Sequence, residues 1–181
     1  MPLSEADRTW FIEEIRALDP GGALVSVESN TSHVRYCEAI RSGETRHRKA
    51  DPEELVRALT LVMLCSDAYG YTPDRMYIEQ THTIGRPSAS TAQIDLVLFF
   101  GETDGTESAF AMWEMKAPDE YKPASDPLIE TQLFAVAPLV GPSLLVYSTV
   151  KPQVREIECI TIDYKAHKTY DGWNAAGRPS T

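Results

Sequence analysis

Residues 109–116, Ala-Phe-Ala-Met-Trp-Glu-Met-Lys, are apolar until their end and then place Glu114 and Lys116 on either side of Met115. Read as a β-strand, the segment alternates faces. Glu114 and Lys116 then project the same way as Phe110 and Met112, while Ala111, Trp113 and Met115 take the other face. A carboxylate and an ammonium at the mouth of a buried strand are costly unless they pair or bind something. The preceding strand, Ala92 to Phe100, holds Asp95 within an otherwise apolar run, an awkward place for a carboxylate. Gly101 to Glu107 reads as the hairpin loop between the two strands, which makes them antiparallel neighbours and brings Asp95 beside Glu114 and Lys116.

Upstream, Asp51-Pro-Glu-Glu54 is a helix start, with Asp51 as cap and Pro52 at the first helical position. Leu55, Leu59, Val62 and Ser66 follow on one face, and the helix is predicted to run to Ala68. Glu54 stands either as the carboxylate of a capping box or as a group facing the strands. Arg75 to Ile84 reads as a strand, with a loop over Gly85 to Ser90. It carries Glu79, placed either to support a site or to pair with an Arg or Lys. Downstream, Ala117 to Ser125 is a loop. Asp126 to Val136 is a helix carrying Gln132, capped by Ser125 or Asp126 and closed by Pro138. Ser143 to Val150 is a core strand, and Ile157 to Ile162 adds one at an edge. From Asp51 the order is helix, strand, strand, strand, helix, strand. That order fits an α/β layer with antiparallel strands early and a parallel crossover late.

Before this core, Ser4 to Leu18 reads as an amphipathic helix capped by Ser4, and Ala23 to Val27 as a short strand. His33 to Ile40 fits either strand or helix. Ser42 to Lys49 reads as a polar loop. With Arg41 before it, this stretch concentrates positive charge in Arg41, Arg46, Arg48 and Lys49, either as a solvated linker or as a phosphate contact near the site. The chain thus divides into an N-terminal helical and strand extension (1–50), a core (51–165) and a tail or linker (166–181).

The 181 residues are 43% hydrophobic, enough for one domain with a real core. A net charge of −10 argues against a broad phosphate-binding surface on this chain alone. Cys37, Cys65 and Cys159 are widely spaced and form no zinc pattern, which fits reduced thiols in a cytoplasm. No apolar run approaches the roughly 20 residues that span a bilayer. The first ten residues lack a signal peptide's basic and apolar regions.

Two carboxylates from adjacent strands supply hard oxygen ligands for a divalent metal such as Mg²⁺. Asp95 and Glu114 are the candidate ligands, joined by the backbone carbonyl of Met115. Such a metal activates water and neutralises charge on a transferring phosphate, and Lys116 is then placed to hold the attacking water or stabilise the pentavalent phosphate. The plain alternative for Glu-x-Lys at a strand end is a surface ion pair contributing under about 1 kcal/mol. Glu54 and Gln132 complete the candidate set, Gln132 through an amide that can orient water or touch a phosphate.

The segment from Pro52 to Val150 resembles the N-terminal nuclease domain of type I restriction enzyme R subunits, within the PD-(D/E)XK superfamily. The resemblance rests on PEELVRALTLVMLCSDAYGY, MYIEQTHTIGRP, AQIDLVLF, MWEMKAP, ETQLFAVAP and SLLVYSTV, in that order. It implies a restriction-endonuclease-like core and a Mg²⁺-dependent DNA endonuclease, with Mn²⁺ able to substitute. Asp95 and Glu114 resemble the metal ligands, Lys116 the catalytic lysine, Glu54 the helix-borne acid and Gln132 the glutamine of the QxxxY motif. Two positions depart from the pattern: Ile94 stands where relatives carry Pro, and Val136 stands where the motif has Tyr.

The chain carries no phosphate-loop or methyltransferase motif. The resemblance therefore implies a part of a restriction or related phage-defence system, with a motor, methyltransferase or recognition module elsewhere. The competing expectation is a non-catalytic docking or scaffold module with the same fold. A third is a structure-selective or RNA-directed nuclease, since a metal site alone does not select the nucleic acid.

Overall fold

The computed structural model describes residues 3–28, 30–84, 91–101, 107–123 and 127–181. The Gly85 to Ser90 loop, residues 102–106 of the hairpin loop, and the candidate caps Ser125 and Asp126 lie outside the described residues.

The chain begins with α1 (Glu5–Leu18), whose N-terminus is capped by the Ser4 hydroxyl accepting from the Asp7 N–H. A small antiparallel sheet follows, ordered β1 (Val25–Val27), β2 (His33–Tyr36) and β4 (His47–Lys49). A two-residue β3 (Arg41–Ser42) leaves this sheet to pair elsewhere. The polar stretch 42–49 is thus strand at both ends rather than loop. These strands are too short, and too uniformly polar, to show the period-two alternation that marks a half-buried strand.

Next comes α2 (Pro52–Cys65), capped by Asp51, with all but four of its 14 residues buried. It ends three residues before Ala68 because the Ser66 N–H and hydroxyl both turn back onto the Met63 carbonyl, at 3.0 and 2.6 Å. The main sheet then forms from β5 (Met76–Thr83), β6 (Thr91–Phe100), β7 (Ser108–Met115), β8 (Leu144–Lys151) and β9 (Glu156–Asp163), with β3 at one edge and β9 at the other. β5, β6 and β7 are antiparallel neighbours, whereas β7 and β8 run parallel. The crossover between β7 and β8 carries a wide π-helical turn (Ile129–Phe134) that continues into α3 (Ala135–Val140). Pro138 sits inside α3 and does not close it; Gly141 does, in the left-handed conformation at φ 70°. The wider preceding turn accommodates a proline ring and its missing N–H at that point. The architecture is therefore α/β with a mixed sheet, and its described residues include four α-helices.

Two cores lie on opposite faces of the sheet. On one, Phe11, Ile15, Leu55, Val62, Leu96, Leu98 and Met115 join α1, α2 and the small sheet, so residues before 50 share the core of residues after it. On the other, Val97, Met112, Leu133, Val136, Tyr147 and Trp173 join the crossover helices to the sheet. Each such side chain contributes about 1.5–3 kcal/mol on burial. Trp173 belongs to α4 (Tyr170–Ala175), a helix within the stretch that reads as a tail, and its indole N–H donates to the Pro179 carbonyl at 2.9 Å. Val136, the position of the missing motif tyrosine, is fully buried in this second core.

One strand-face expectation is corrected. Phe110 does not share a face with Met112. The β6–β7 register passes from Leu98↔Ala111 to Phe99↔Ala109, leaving Phe110 as the extra residue of a bulge. Phe110 packs with Trp113 toward the α2 side, while Met112 faces the opposite core. No helix among the described residues is long and apolar enough to cross a membrane.

Candidate active site

Lys116 follows directly on β7, and its backbone is held on both sides. Its N–H donates to the Ser148 carbonyl at 2.9 Å, and its carbonyl accepts from the Thr149 hydroxyl at 2.8 Å. Its ammonium lies 2.8 Å from Glu114 Oε1 and 3.2 Å from Glu53 Oε2. Asp95 arrives from the neighbouring strand. The β6–β7 ladder pairs Leu96 with Trp113, and one residue further the Asp95 carboxylate accepts the Met115 N–H at 2.6 Å. A side chain thereby continues the ladder, which reconciles Asp95 with its place in an apolar strand. The Met115 side chain itself is buried in the core beneath α2.

The first turn of α2 lies over these strand ends. The Glu54 N–H takes the Asp51 cap at 2.9 Å, but the Glu54 carboxylate points inward instead of closing a capping box. It accepts from the Tyr36 hydroxyl and, at 2.5 Å, from Arg57 Nη1. Arg57 also reaches Glu79 at 2.6 Å and Asp95 at 2.5 Å, so one buried guanidinium joins three carboxylates from three elements. Arg48 on β4 adds contacts to Glu79 at 2.9 Å and Glu54 at 3.3 Å, and pairs outward with Glu44.

Glu79 reaches this network through an unusual backbone. Its φ is 55°, in the left-handed region that favours glycine. On β5 it falls between Ile78, paired with Leu96, and Gln80, paired with Ile94. Gly43, just past β3, donates its N–H to Ile78, and a Cβ there would overlap the Glu79 carbonyl oxygen. From the crossover, the Gln132 amide, with its nitrogen turned toward Glu114, donates to Oε1 and Oε2 at 2.6 and 2.8 Å.

Together these groups line a polar cavity of about 200 Å³. It gathers Glu54, Asp95, Glu114, Lys116 and Gln132, each singled out in the sequence, with Glu79 beside them. Arg48 lines the cavity as well. Of the other basic residues near it in sequence, Arg46 donates to the Ile40 carbonyl, and Arg41 pairs with Glu107 while lying over Phe99. The residues that sequence reasoning missed are Glu53, Arg57 and Tyr36. Glu53 and Arg57 carried one usable signal: both lie within one helical turn of Glu54.

Among the described residues lining the cavity, Asp51, Glu53, Glu54, Glu79, Asp95 and Glu114 face only Arg48, Arg57 and Lys116 as cations, an excess of three carboxylates. The electrostatics follow from that excess. Burial, reinforced by the Asp95 charge, pushes Glu114 up to about 9. Burial and Asp95 also raise Glu53, and burial raises Glu79 against the pull of Arg57 and Arg48. Burial disfavours the Lys116 ammonium, but Glu114, Asp95 and Glu53 outweigh it and hold its pKa above the ordinary value. The same opposition between burial and carboxylates keeps Arg57 charged. Burial and the Asp95 charge thus favour a proton on Glu114, Lys116 favours its carboxylate, and a bound cation would displace the proton.

No protein-family model matches this chain, and no curated protein matches it in sequence.

Proposed function

We propose that the chain is a Mg²⁺-dependent DNA endonuclease domain with a restriction-endonuclease-like core, hydrolysing phosphodiester bonds within a type I-like restriction or related phage-defence system in the cytoplasm. The observation that carries this reading is the convergence of Asp95, Glu114 and Lys116 at adjacent strand ends, beneath Glu54 and beside Gln132. The donor set fits a hard divalent cation, Mg²⁺ or Mn²⁺. It consists of carboxylate oxygens, it carries surplus negative charge, and one member binds a proton far above the usual carboxylate range. Asp95 and Glu114, with the Met115 carbonyl, would hold the ion. The bound ion supplies Lewis acidity toward a phosphodiester and toward water.

The remaining work falls to the chain's own groups. Lys116 presents a fixed ammonium to the negative charge that builds on the phosphoryl oxygens, its backbone clamped by Ser148 and Thr149. Gln132 orients the Glu114 carboxylate through both oxygens. Arg57 and Arg48 hold Glu54 and Glu79 in place, and Arg57 also fixes one oxygen of Asp95. With a net charge of −10, DNA affinity falls to further domains or subunits, such as a motor, a methyltransferase or a recognition module.

The test is nicking of supercoiled plasmid by purified protein, with candidate partner subunits, in Mg²⁺ or Mn²⁺. Lys116→Ala and Asp95→Asn should each abolish it; cleavage that survives both substitutions removes the proposal. A second reading, a non-catalytic docking or scaffold module, is favoured by one observation: Arg57 already joins Glu54, Glu79 and Asp95 as a resident cation. Calorimetric titration with Mn²⁺ separates the two, because a module has no binding that depends on Asp95 and Glu114.

A further inference from the structure

A second constellation lies on the small N-terminal sheet, outside the carboxylate cavity. Glu28 follows β1, His33 opens β2 and His47 opens β4. The antiparallel register pairs His33 with Lys49 and Arg35 with His47, making the two histidines diagonal neighbours. Their rings stack with centroids 4.7 Å apart and planes 28° from parallel. Both turn toward one carboxylate: His47 Nε2 lies 2.7 Å from Glu28 Oε1, and His33 Nδ1 lies 3.5 Å from Glu28 Oε2. One donor atom from each of the three residues fits within 4.8 Å of the other two.

An imidazole binds a metal through the lone pair of one ring nitrogen, and here two such rings stand beside one carboxylate. Two imidazole nitrogens and a carboxylate oxygen make the three-ligand set of a tetrahedral Zn²⁺ site with a fourth position open to water. The Ser32 hydroxyl lies 2.8 Å from His33 Nδ1, 3.3 Å from Glu28 Oε2 and 2.6 Å from Asn30 Oδ1, tying the loop between β1 and β2 to these side chains. The side chains of Glu28, His33 and His47 are 39%, 39% and 42% exposed, which leaves an open path for an ion.

We infer that Glu28, His33 and His47 form a site for a borderline-soft divalent metal of the Zn²⁺ class, distinct from the carboxylate cavity. The site joins the ends of β2 and β4. The same strands carry Tyr36 and Arg48, both in contact with Glu54. An ion there clips the small sheet and steadies two of the side chains that hold Glu54. This inference does not depend on the nuclease reading.

The experiment uses tag-free protein stripped with a chelator, then titrated with Zn²⁺ by calorimetry. Glu114→Gln should bind one equivalent at this site, whether or not the wild type takes a further ion in the carboxylate cavity. His33→Ala/His47→Ala should lose at least about 100-fold in affinity, more than outer-sphere changes typically cost. Co²⁺ should produce the visible bands of a four-coordinate site in wild type and not in the double variant. If the double variant is not folded by circular dichroism, Glu28→Gln replaces it with the same expected loss of affinity. Absence of Zn²⁺ binding to wild type, binding unchanged in the histidine and Glu28 variants, or binding that follows Glu114 instead would each overturn the inference.

Discussion

Arg57 Nη2 donates to Asp95 Oδ1 at 2.5 Å, linking the interior of α2 to the strand end where the candidate metal ligands meet. Its other terminal nitrogen serves Glu54 and Glu79, so this one side chain neutralises acids from α2, β5 and β6. Arg57 is 3% exposed and has no aqueous alternative for its charge. Replacing it with methionine keeps the bulk and strands three carboxylates. Arg57→Met is expected to cost about 3–5 kcal/mol in urea unfolding at pH 7. Added Mg²⁺ or Mn²⁺ should restore part of that loss, since the vacated charge favours a cation. No loss of stability would mean that the three acids find other partners.

Glu114 should make stability pH-dependent in the metal-free protein. Its folded pKa of about 9 lies above its ordinary value of 4.5, so between these limits the folded state binds the extra proton. Stability contributed this way is complete below 4.5 and is lost as pH rises through the window. Glu114→Gln removes the dependence. Relative to wild type it should be more stable at pH 8 than at pH 5, by up to about 4 kcal/mol, in paired denaturant titrations. An equal difference at the two pH values would show Glu114 ionised throughout.

Gln132 touches both oxygens of Glu114 and acts through that carboxylate. Gln132→Leu should lower Mn²⁺ affinity by about 10–100-fold in calorimetric titration, as loss of an outer-sphere partner does. Unchanged Mn²⁺ affinity in Gln132→Leu would leave the glutamine as a packing residue.

Gly43 sets the approach of β3 to Glu79. A methyl group there meets the Glu79 carbonyl, so Gly43→Ala should destabilise by about 1–3 kcal/mol through forced backbone shift. Because Glu79 also has a positive φ, the shift should weaken its pairing with Arg48 and Arg57. A crystal structure of the variant, or loss of additivity with Glu79→Gln in a double-mutant cycle, reads that coupling.

Trp173 decides the standing of the C-terminal segment. It is fully buried against Phe134, on the helix that carries Gln132. Trp173→Ala should cost about 3–5 kcal/mol, and truncation at residue 165 should cost at least as much in thermal unfolding. A segment that merely links would tolerate both changes.

The sequence alone carried the strand-borne half of the site. Alternation along residues 112–116, one hairpin and an acid in an apolar strand put Asp95, Glu114 and Lys116 together, because beyond the bulge a strand's period of two assigns faces with no knowledge of its neighbours. It also determined where α2 begins, since Asp51 and Pro52 act locally. It did not determine what Glu54 does there, because the cap and the cavity lie within reach of the same carboxylate. Packing of α2 over the strand ends gives the cap to the backbone N–H and the side chain to Tyr36 and Arg57. Arg57 itself was hidden in a helix that packs on nearly every side, where helical periodicity names no polar face for a charge to occupy. The bulge at Phe110, the left-handed Glu79 and the burial of Trp173 were hidden for a related reason. Each depends on contacts between segments far apart in the chain, and such contacts leave no periodic trace in either segment alone.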